Sequence, residues 1–161
     1  MTIKEYNNSV DSYSDGLYRF VLKNIKNPDM ARDIVQDSFE KLWKRVNDVS
    51  YEKVKSYLFT TAYHTLIDAI RRDKRIEKID KINPDRYSHA EQYSDLQQIL
   101  HDALDKLPET QRSVILLRDY EGYSYREIAE ITGLNEAQVK VYIYRGRVFL
   151  KSYIIRMENV I

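Results

Sequence analysis

Hydrophobic residues recur along this chain at three- and four-residue intervals, the period of a helix face. Leu17, Phe20, Val21 and Ile25 form the first stripe and predict a helix from about Val10 to Lys26. Residues 1–9 are polar and are expected to fray. Asn27-Pro28 stops that helix and starts another, with Asn27 as cap and Pro28 in the first turn. The second helix should reach about Val46 and bury Val35, Phe39, Leu42, Trp43 and Val46. A polar loop from Asn47 to Lys53 leads to a third helix, Val54 to Arg72, with Tyr57, Leu58, Ala62, Leu66, Ala69 and Ile70 as a wide apolar stripe. Residues 73–95 mix charges and hold little apolar material, so they are expected to be a flexible linker. Beyond it Leu96, Ile99, Leu100, Ala103 and Leu107 mark one helix. Leu107-Pro108 breaks it, and a further helix to about Tyr120 should bury Val114, Leu117 and Tyr120. Its end is set by Gly122.

The stretch from Ser124 to Arg147 predicts helix, tight turn, helix. Ser124 and Glu127 have capping-box spacing, Gly133 suits a left-handed helix end, and Asn135 with Gln138 repeats the cap. Ile128, Ala129, Thr132, Leu134, Val139 and Ile143 fall where the two short helices would meet. The last helix is expected to continue to about Met157. A DNA-reading helix-turn-helix has this layout, and so does an ordinary helical hairpin. On the DNA reading, Glu136, Lys140, Val141 and Tyr144 face the groove, where Val141 and Tyr144 suit thymine methyls. Arg145 and Arg147 are then placed for phosphates.

Composition narrows the class. Hydrophobics at 43% and charged residues at 32% describe a globular chain. Glycine (4) and proline (3) are scarce and no run alternates with period two, so the fold expected is all-α, two small helical domains (1–72 and 96–161) joined by the linker 73–95. Cysteine is absent, which excludes disulfides and thiolate metal sites and fits a reducing cytoplasm. The three histidines are scattered, and no phosphate loop or nucleophile pattern occurs, so no metal, no cofactor and no catalytic residue are expected. No apolar run approaches the ~20 residues of a membrane span, and no signal peptide is recognised at the start. A net charge of +1 requires any DNA binder of this size to sort its basic residues onto one face. Two faces stand out. Asp33, Gln36, Asp37, Glu40 and Lys44 line the polar side of the second helix, as a solvated face would. Thr61, His64, Asp68, Arg71, Arg72 and Arg75 line the third, where a cationic last turn also suits the helix dipole.

Two motifs together resemble a known family. Asp33-Ile34-Val35-Gln36-Asp37-Ser38-Phe39, then Leu42-Trp43, Tyr57-Leu58 through Ala62, Asp68 and Arg71-Arg72, are similar to the second conserved domain of bacterial sigma factors. Leu107-Pro108, Gln111-Arg112, Leu116-Leu117-Arg118, Glu121-Gly122, Ser124-Tyr125, Glu127-Ile128-Ala129 and Gly133 resemble the fourth. The absence of longer insertions points to the compact extracytoplasmic-function group of the sigma-70 family. The resemblance implies that Asp33, Gln36, Asp37, Glu40 and Lys44 dock on the clamp helices of the largest subunit of core RNA polymerase. It implies that Thr61, His64, Arg71 and Arg72 read and open the −10 promoter element, with Asn47, Asp48, Ser50 and Tyr51 capturing an unstacked base. Glu136, Gln138, Lys140, Val141, Tyr144, Arg145 and Arg147 would engage the −35 element, near the flap of the second-largest subunit. The linker would thread toward the RNA exit path. Promoter DNA and core polymerase are the implied partners, an anti-sigma factor is common in the group, and the implied location is the bacterial cytoplasm. His64 stands where Asn is common, Gln138 where Thr is frequent, Val141-Tyr142 where Ser-Arg is frequent and Gly146 where Ala is usual. The rival without the resemblance is an operator-binding regulator with an N-terminal signal domain.

Overall fold

A computed structural model describes residues 1–79 and 95–160. Among these residues seven α-helices follow one another: α1 (Ile3–Ile25), α2 (Pro28–Lys44), α3 (Val54–Ile79), α4 (Asp95–Lys106), α5 (Glu109–Ile115), α6 (Tyr125–Thr132) and α7 (Glu136–Val160). No strand occurs among the described residues. Most of the expected linker, residues 80–94, lies outside the described residues, and α3 runs to Ile79, past the end expected at Arg72.

The first nine residues depart from expectation. They are helical from Ile3, started by a capping box in which the Glu5 N–H donates to Thr2 Oγ1 (3.1 Å) and the Thr2 N–H to Glu5 Oε1 (2.9 Å). Longer-range bonds then tie this turn down. The Met1 ammonium donates to the Val46 carbonyl (3.1 Å), and the Tyr6 hydroxyl to that of Phe39 (3.1 Å). At the junction with α2 the expected cap is present: Asn27 Oδ1 accepts from the N–H groups of Asp29 and Met30 (both 3.1 Å).

α2 is rotated relative to its predicted face. Ala31, Ile34, Ser38, Phe39 and Leu42 are buried, Val35 and Val46 are partly buried, and Trp43 is 48% exposed. Ala31 and Ser38 are the reason: small residues let α2 lie close to its neighbours. Ser38 Oγ donates to the Ile34 carbonyl (2.8 Å), so its hydroxyl needs no partner in the core. α3 is central, as its wide stripe predicts, with Val54, Leu58, Phe59, Ala62, Tyr63, Leu66 and Ile67 buried.

In the C-terminal half, Leu96 is 55% exposed, where the pattern placed it in the core, and Leu104 takes that role. α5 opens into a wider π-type turn over Leu116–Tyr120, so that the Glu121 N–H reaches the Leu116 carbonyl (3.1 Å). The shift leaves Tyr120 exposed and puts Tyr123 in the core. Both predicted helix-turn-helix caps form. The Glu127 N–H donates to Ser124 Oγ (3.1 Å), and Gly133 takes φ +78°. The Gln138 N–H donates to Asn135 Oδ1 (2.8 Å), and Gln138 Oε1 accepts from the Asn135 N–H (3.0 Å). Ile128, Ile131, Thr132, Val139 and Ile143 close the interface between α6 and α7. Gly146 lies where α7 crosses α5, and a Cβ there would stand 2.2 Å from Ile115 Cδ1. The glycine that looks costly by helix propensity permits this crossing.

The two halves also touch. α3 packs on α6 and α1 on α5, with Phe59 5.7 Å from Phe20 on one side and 5.1 Å from Tyr123 on the other, ring centre to ring centre.

Candidate functional site

Three exposed faces carry the residues singled out in the sequence. On α2, Asp33, Gln36, Glu40 and Lys44 are exposed and Asp37 is half-buried. Asp37 is paired one turn along its own helix with Lys41 (3.0 Å), and Gln36 Nε2 approaches Glu40 Oε1 at 3.4 Å. Exposed pairs of this kind are worth at most ~1 kcal/mol, so a partner exchanges them cheaply. Trp43 stands at the edge of this face, a residue that its hydrophobicity had placed in the core. Its ring is held edge-on by Tyr6 (5.0 Å between centres). Burial, and then the charge of Glu40, keep the Tyr6 hydroxyl above its usual pKa, so it stays a neutral donor to Phe39. The result is a polar, largely acidic strip with a rigidly supported apolar corner. Only the rotation of α2 exposes that corner.

The second face follows directly. After α2 the chain turns through Asn47, Asp48 and Ser50, all exposed, into a 3-10 turn at Tyr51–Lys53. Tyr51 is 40% exposed. On α3, His64, Arg71 and Arg72 are exposed and Thr61 is half-buried, along the side away from the core. His64 rests edge-on against Tyr63 (5.6 Å between centres). The loop and this stripe present amide, hydroxyl, aromatic and guanidinium groups, the chemistry that single-stranded bases and phosphates take. The Arg75 side chain is outside the described set.

The third face is the outer side of α7. Glu136, Lys140, Val141, Tyr144 and Arg145 are exposed, Tyr144 to 70%. Val141, Tyr142 and Arg145 line a shallow concavity with Asn135, Ala137 and Gln138. Gln138 is exposed, and its side-chain oxygen is occupied by the helix cap. Tyr142 is half-buried, in keeping with a packing role. Arg147 points elsewhere than the others: Nη2 donates to Asp119 Oδ1 (2.5 Å) and Nε to Oδ2 (3.2 Å). To reach a phosphate it must leave that carboxylate. Lys140 and Arg118 sit 5.5 Å and 4.5 Å from the centre of the Tyr125 ring, so this tyrosine gathers positive charge beside the start of α7. Sequence spacing offered no sign of Tyr125 in that role, because its neighbours come from two other elements.

Among the described residues no group of His, Asp and Glu is placed to hold a metal. Among the described residues no helix is long and apolar enough to cross a membrane.

An all-helical chain with an acidic strip and a polar stripe in its first half, and a helix-turn-helix in its second, has the organisation of a promoter-recognition factor. Residues 10–76 match the family described as Sigma-70 region 2, and residues 97–150 match Sigma-70, region 4. RNA polymerase sigma factor SigV of Bacillus subtilis is 36% identical over 140 residues, covering 85% of this chain and 83% of SigV. ECF RNA polymerase sigma factor SigM of the same organism is 27% identical over 99% of both chains. Among solved structures, the sigma factor RpoE of Bartonella quintana, in complex with the anti-sigma factor NepR, shares the fold with a TM-score of 0.77 at 24% identity, over 94% of this chain and 98% of that one. CnrH in complex with the cytosolic domain of CnrY gives 0.71 at 22%, over 94% and 88%. The chain belongs to the sigma-70 family, in its extracytoplasmic-function group. It is an alternative sigma factor that serves transcription initiation.

Proposed function

We propose that this sigma factor docks on the clamp helices of core RNA polymerase through Asp33, Gln36, Asp37, Glu40 and Lys44, with Trp43 as the apolar anchor of that contact. Asn47, Asp48, Ser50, Tyr51, Thr61, His64, Arg71 and Arg72 engage and open the −10 element. Glu136, Lys140, Val141, Tyr144 and Arg145 engage the −35 element, with Gln138 shaping the start of α7 and Arg147 reaching phosphate once released from Asp119. Residues 1–72 and 96–161 act as the two functional domains, with the segment between them near the RNA exit path and the second domain near the flap. The chain has no catalytic role of its own and works in the cytoplasm, where polymerase is. As in the complex of RpoE with NepR, an anti-sigma protein is a candidate regulator. The observation that carries the reading is Trp43, a supported aromatic ring left half in water beside an acidic strip, as an interface anchor is built.

In vitro transcription with core polymerase on a genomic fragment library tests it. The wild-type chain is expected to direct initiation at a small set of promoters. Trp43→Ala and Asp37→Arg should each lower core-polymerase affinity ~10-fold or more while leaving the melting temperature nearly unchanged. Unchanged affinity in both would remove the clamp assignment. Tight binding to a two-fold operator without polymerase would replace it with the regulator reading.

A further inference from the structure

The contact between the halves is sorted by charge. From the N-terminal half come Arg19 and Lys23 on α1, Lys26 at the left-handed cap that ends it, and Lys55 and Lys74 on α3. Each meets a carboxylate or an aromatic ring of the C-terminal half. Arg19 donates through Nε and Nη2 to Glu121 (both 2.9 Å), Lys26 pairs with Asp105, and Lys74 with Glu109 (2.9 Å). Lys23 lies 3.5 Å from the centre of the Tyr120 ring, and Lys55 4.1 Å from that of Tyr123. Gly16 makes room for the Glu121 carboxylate, since a Cβ there would stand 3.2 Å from Oε2. One cation comes the other way: Arg112, buried, donates with Ser113 to Asn24 Oδ1 (3.1 and 3.2 Å). Carboxylates on a row of cations, with rings interleaved, present the chemistry of phosphates and bases.

This contact is built to part. Arg19 and Lys74 keep about half of their side-chain surface in water, whereas Glu121 and Glu109 are largely buried, so parting returns these carboxylates to water. Among the described residues the buried Tyr123 hydroxyl has no hydrogen-bond partner, a cost of about 1–3 kcal/mol that separation relieves. Geometry also requires parting. α3 packs on α6 and α6 on α7. At 8–10 Å per packed pair, the axes of α3 and α7 lie only about 20 Å apart. Elements centred at −10 and −35 are separated by ~25 base pairs, or ~85 Å of B-DNA at 3.4 Å each. The two reading helices cannot hold both elements in this arrangement.

We propose that the closed chain masks itself. Arg19, Lys23, Lys26, Lys55 and Lys74 form a further nucleic-acid-binding face, outside the −10 stripe, and the acidic and aromatic side of the C-terminal half occupies it until the halves separate. The occupant after opening is a DNA strand, held by its phosphates. The proposal rests on the reading of this chain as a DNA-engaging sigma factor. Its test uses neither polymerase nor promoter, so the two can fail separately.

The full chain carrying Asp105→Asn, Glu109→Gln and Glu121→Gln loses the masking charges without loss of volume. A control with Asp11→Asn, Glu52→Gln and Glu130→Gln gains the same net charge at exposed positions away from the contact. Because native cysteine is absent, dyes on Ser12→Cys and Ser152→Cys report the distance between halves. The probe is a 20-nucleotide single strand of non-promoter sequence, followed by anisotropy over a salt series. The contact variant should show reduced energy transfer, binding ~10-fold tighter than the control, and a salt slope steeper by ~0.7 for each phosphate gained. Arg19→Ala, Lys26→Ala and Lys55→Ala, added to the contact variant, should remove that gain. Glu121→Gln alone should move both readouts the same way by less. Binding no tighter than the control in either variant overturns the proposal, as does a gain that survives the three alanines. Closed halves in both variants would equally overturn it.

Discussion

The interior of each half and the contact between the halves are made of different materials. Within the N-terminal half the buried positions of α1, α2 and α3 are almost wholly apolar: Leu17, Phe20, Val21, Ile34, Leu42, Leu58 and Leu66. Within the C-terminal half Leu104, Val114, Leu117, Ile128, Val139 and Ile143 play the same part. Between them, ion pairs and cation–ring contacts flank an apolar seam where Phe59 meets Tyr123. Burying a large aliphatic side chain is worth ~1.5–3 kcal/mol, whereas an exposed ion pair is worth ~0–1. Each half should therefore persist as a unit under conditions that part them. On the proposed reading, in which the two halves engage separate promoter elements, the protein needs rigid readers and a separable joint, and this division of materials supplies both.

Leu58→Ala should have the largest effect, because it empties a fully buried site on the central helix. We expect a loss of ~2–5 kcal/mol in urea unfolding. If the halves are separate units, the loss falls on the transition followed in the N-terminal half through Trp43, and a probe in α7 moves less. Gly146→Ala is next. Alanine favours a helix by up to ~1 kcal/mol, but the new methyl must displace Ile115 in a packed core, which typically costs ~1–3 kcal/mol. Net destabilisation, seen as a lower melting temperature, would confirm that the α5–α7 crossing decides this position.

Tyr123→Phe acts on the joint instead. It removes the unpartnered hydroxyl and keeps the ring against Phe59, so the closed state should gain ~1 kcal/mol, visible as higher energy transfer between the two halves. A looser joint would mean that the hydroxyl contributes where the geometry shows no partner.

The smallest effect is one of pH. The backbone N–H groups of Thr2 and Ser124 hold the carboxyls of Glu5 and Glu127 below their ordinary pKa near 4.5. A lowered folded pKa means that their stabilisation is present above about pH 4.5 and fades as pH falls through the depressed values. Glu5→Gln and Glu127→Gln, which keep the cap acceptor, should each flatten that acid limb of a stability–pH curve slightly. An unchanged limb would assign acid sensitivity to other carboxylates.

Local chemistry was legible in the chain and tertiary consequence was not. Ser124 with Glu127, Asn135 with Gln138, Asn27 with Pro28 and the left-handed Gly133 act over two to four residues, and each forms as its spacing predicts. Thr2 with Glu5 has the same spacing, and its capping box forms although the surrounding residues are polar. The acidic strip of α2, the polar stripe of α3 and the outer face of α7 were likewise visible as helix periodicity. What only the tertiary structure decided is where each helix turns its ambiguous residues. Trp43 is exposed because Ala31 and Ser38 take the close contact, and Leu96, in the first turn of α4, is exposed while Ala103, Leu104 and Leu107 further along are buried. Arg147 is held by Asp119, and Gly146 is needed for Ile115, across elements far apart in sequence. Periodicity tells how far around a helix the apolar surface extends. It does not say which neighbour arrives, and burial, ion pairing and close approach belong to the pair.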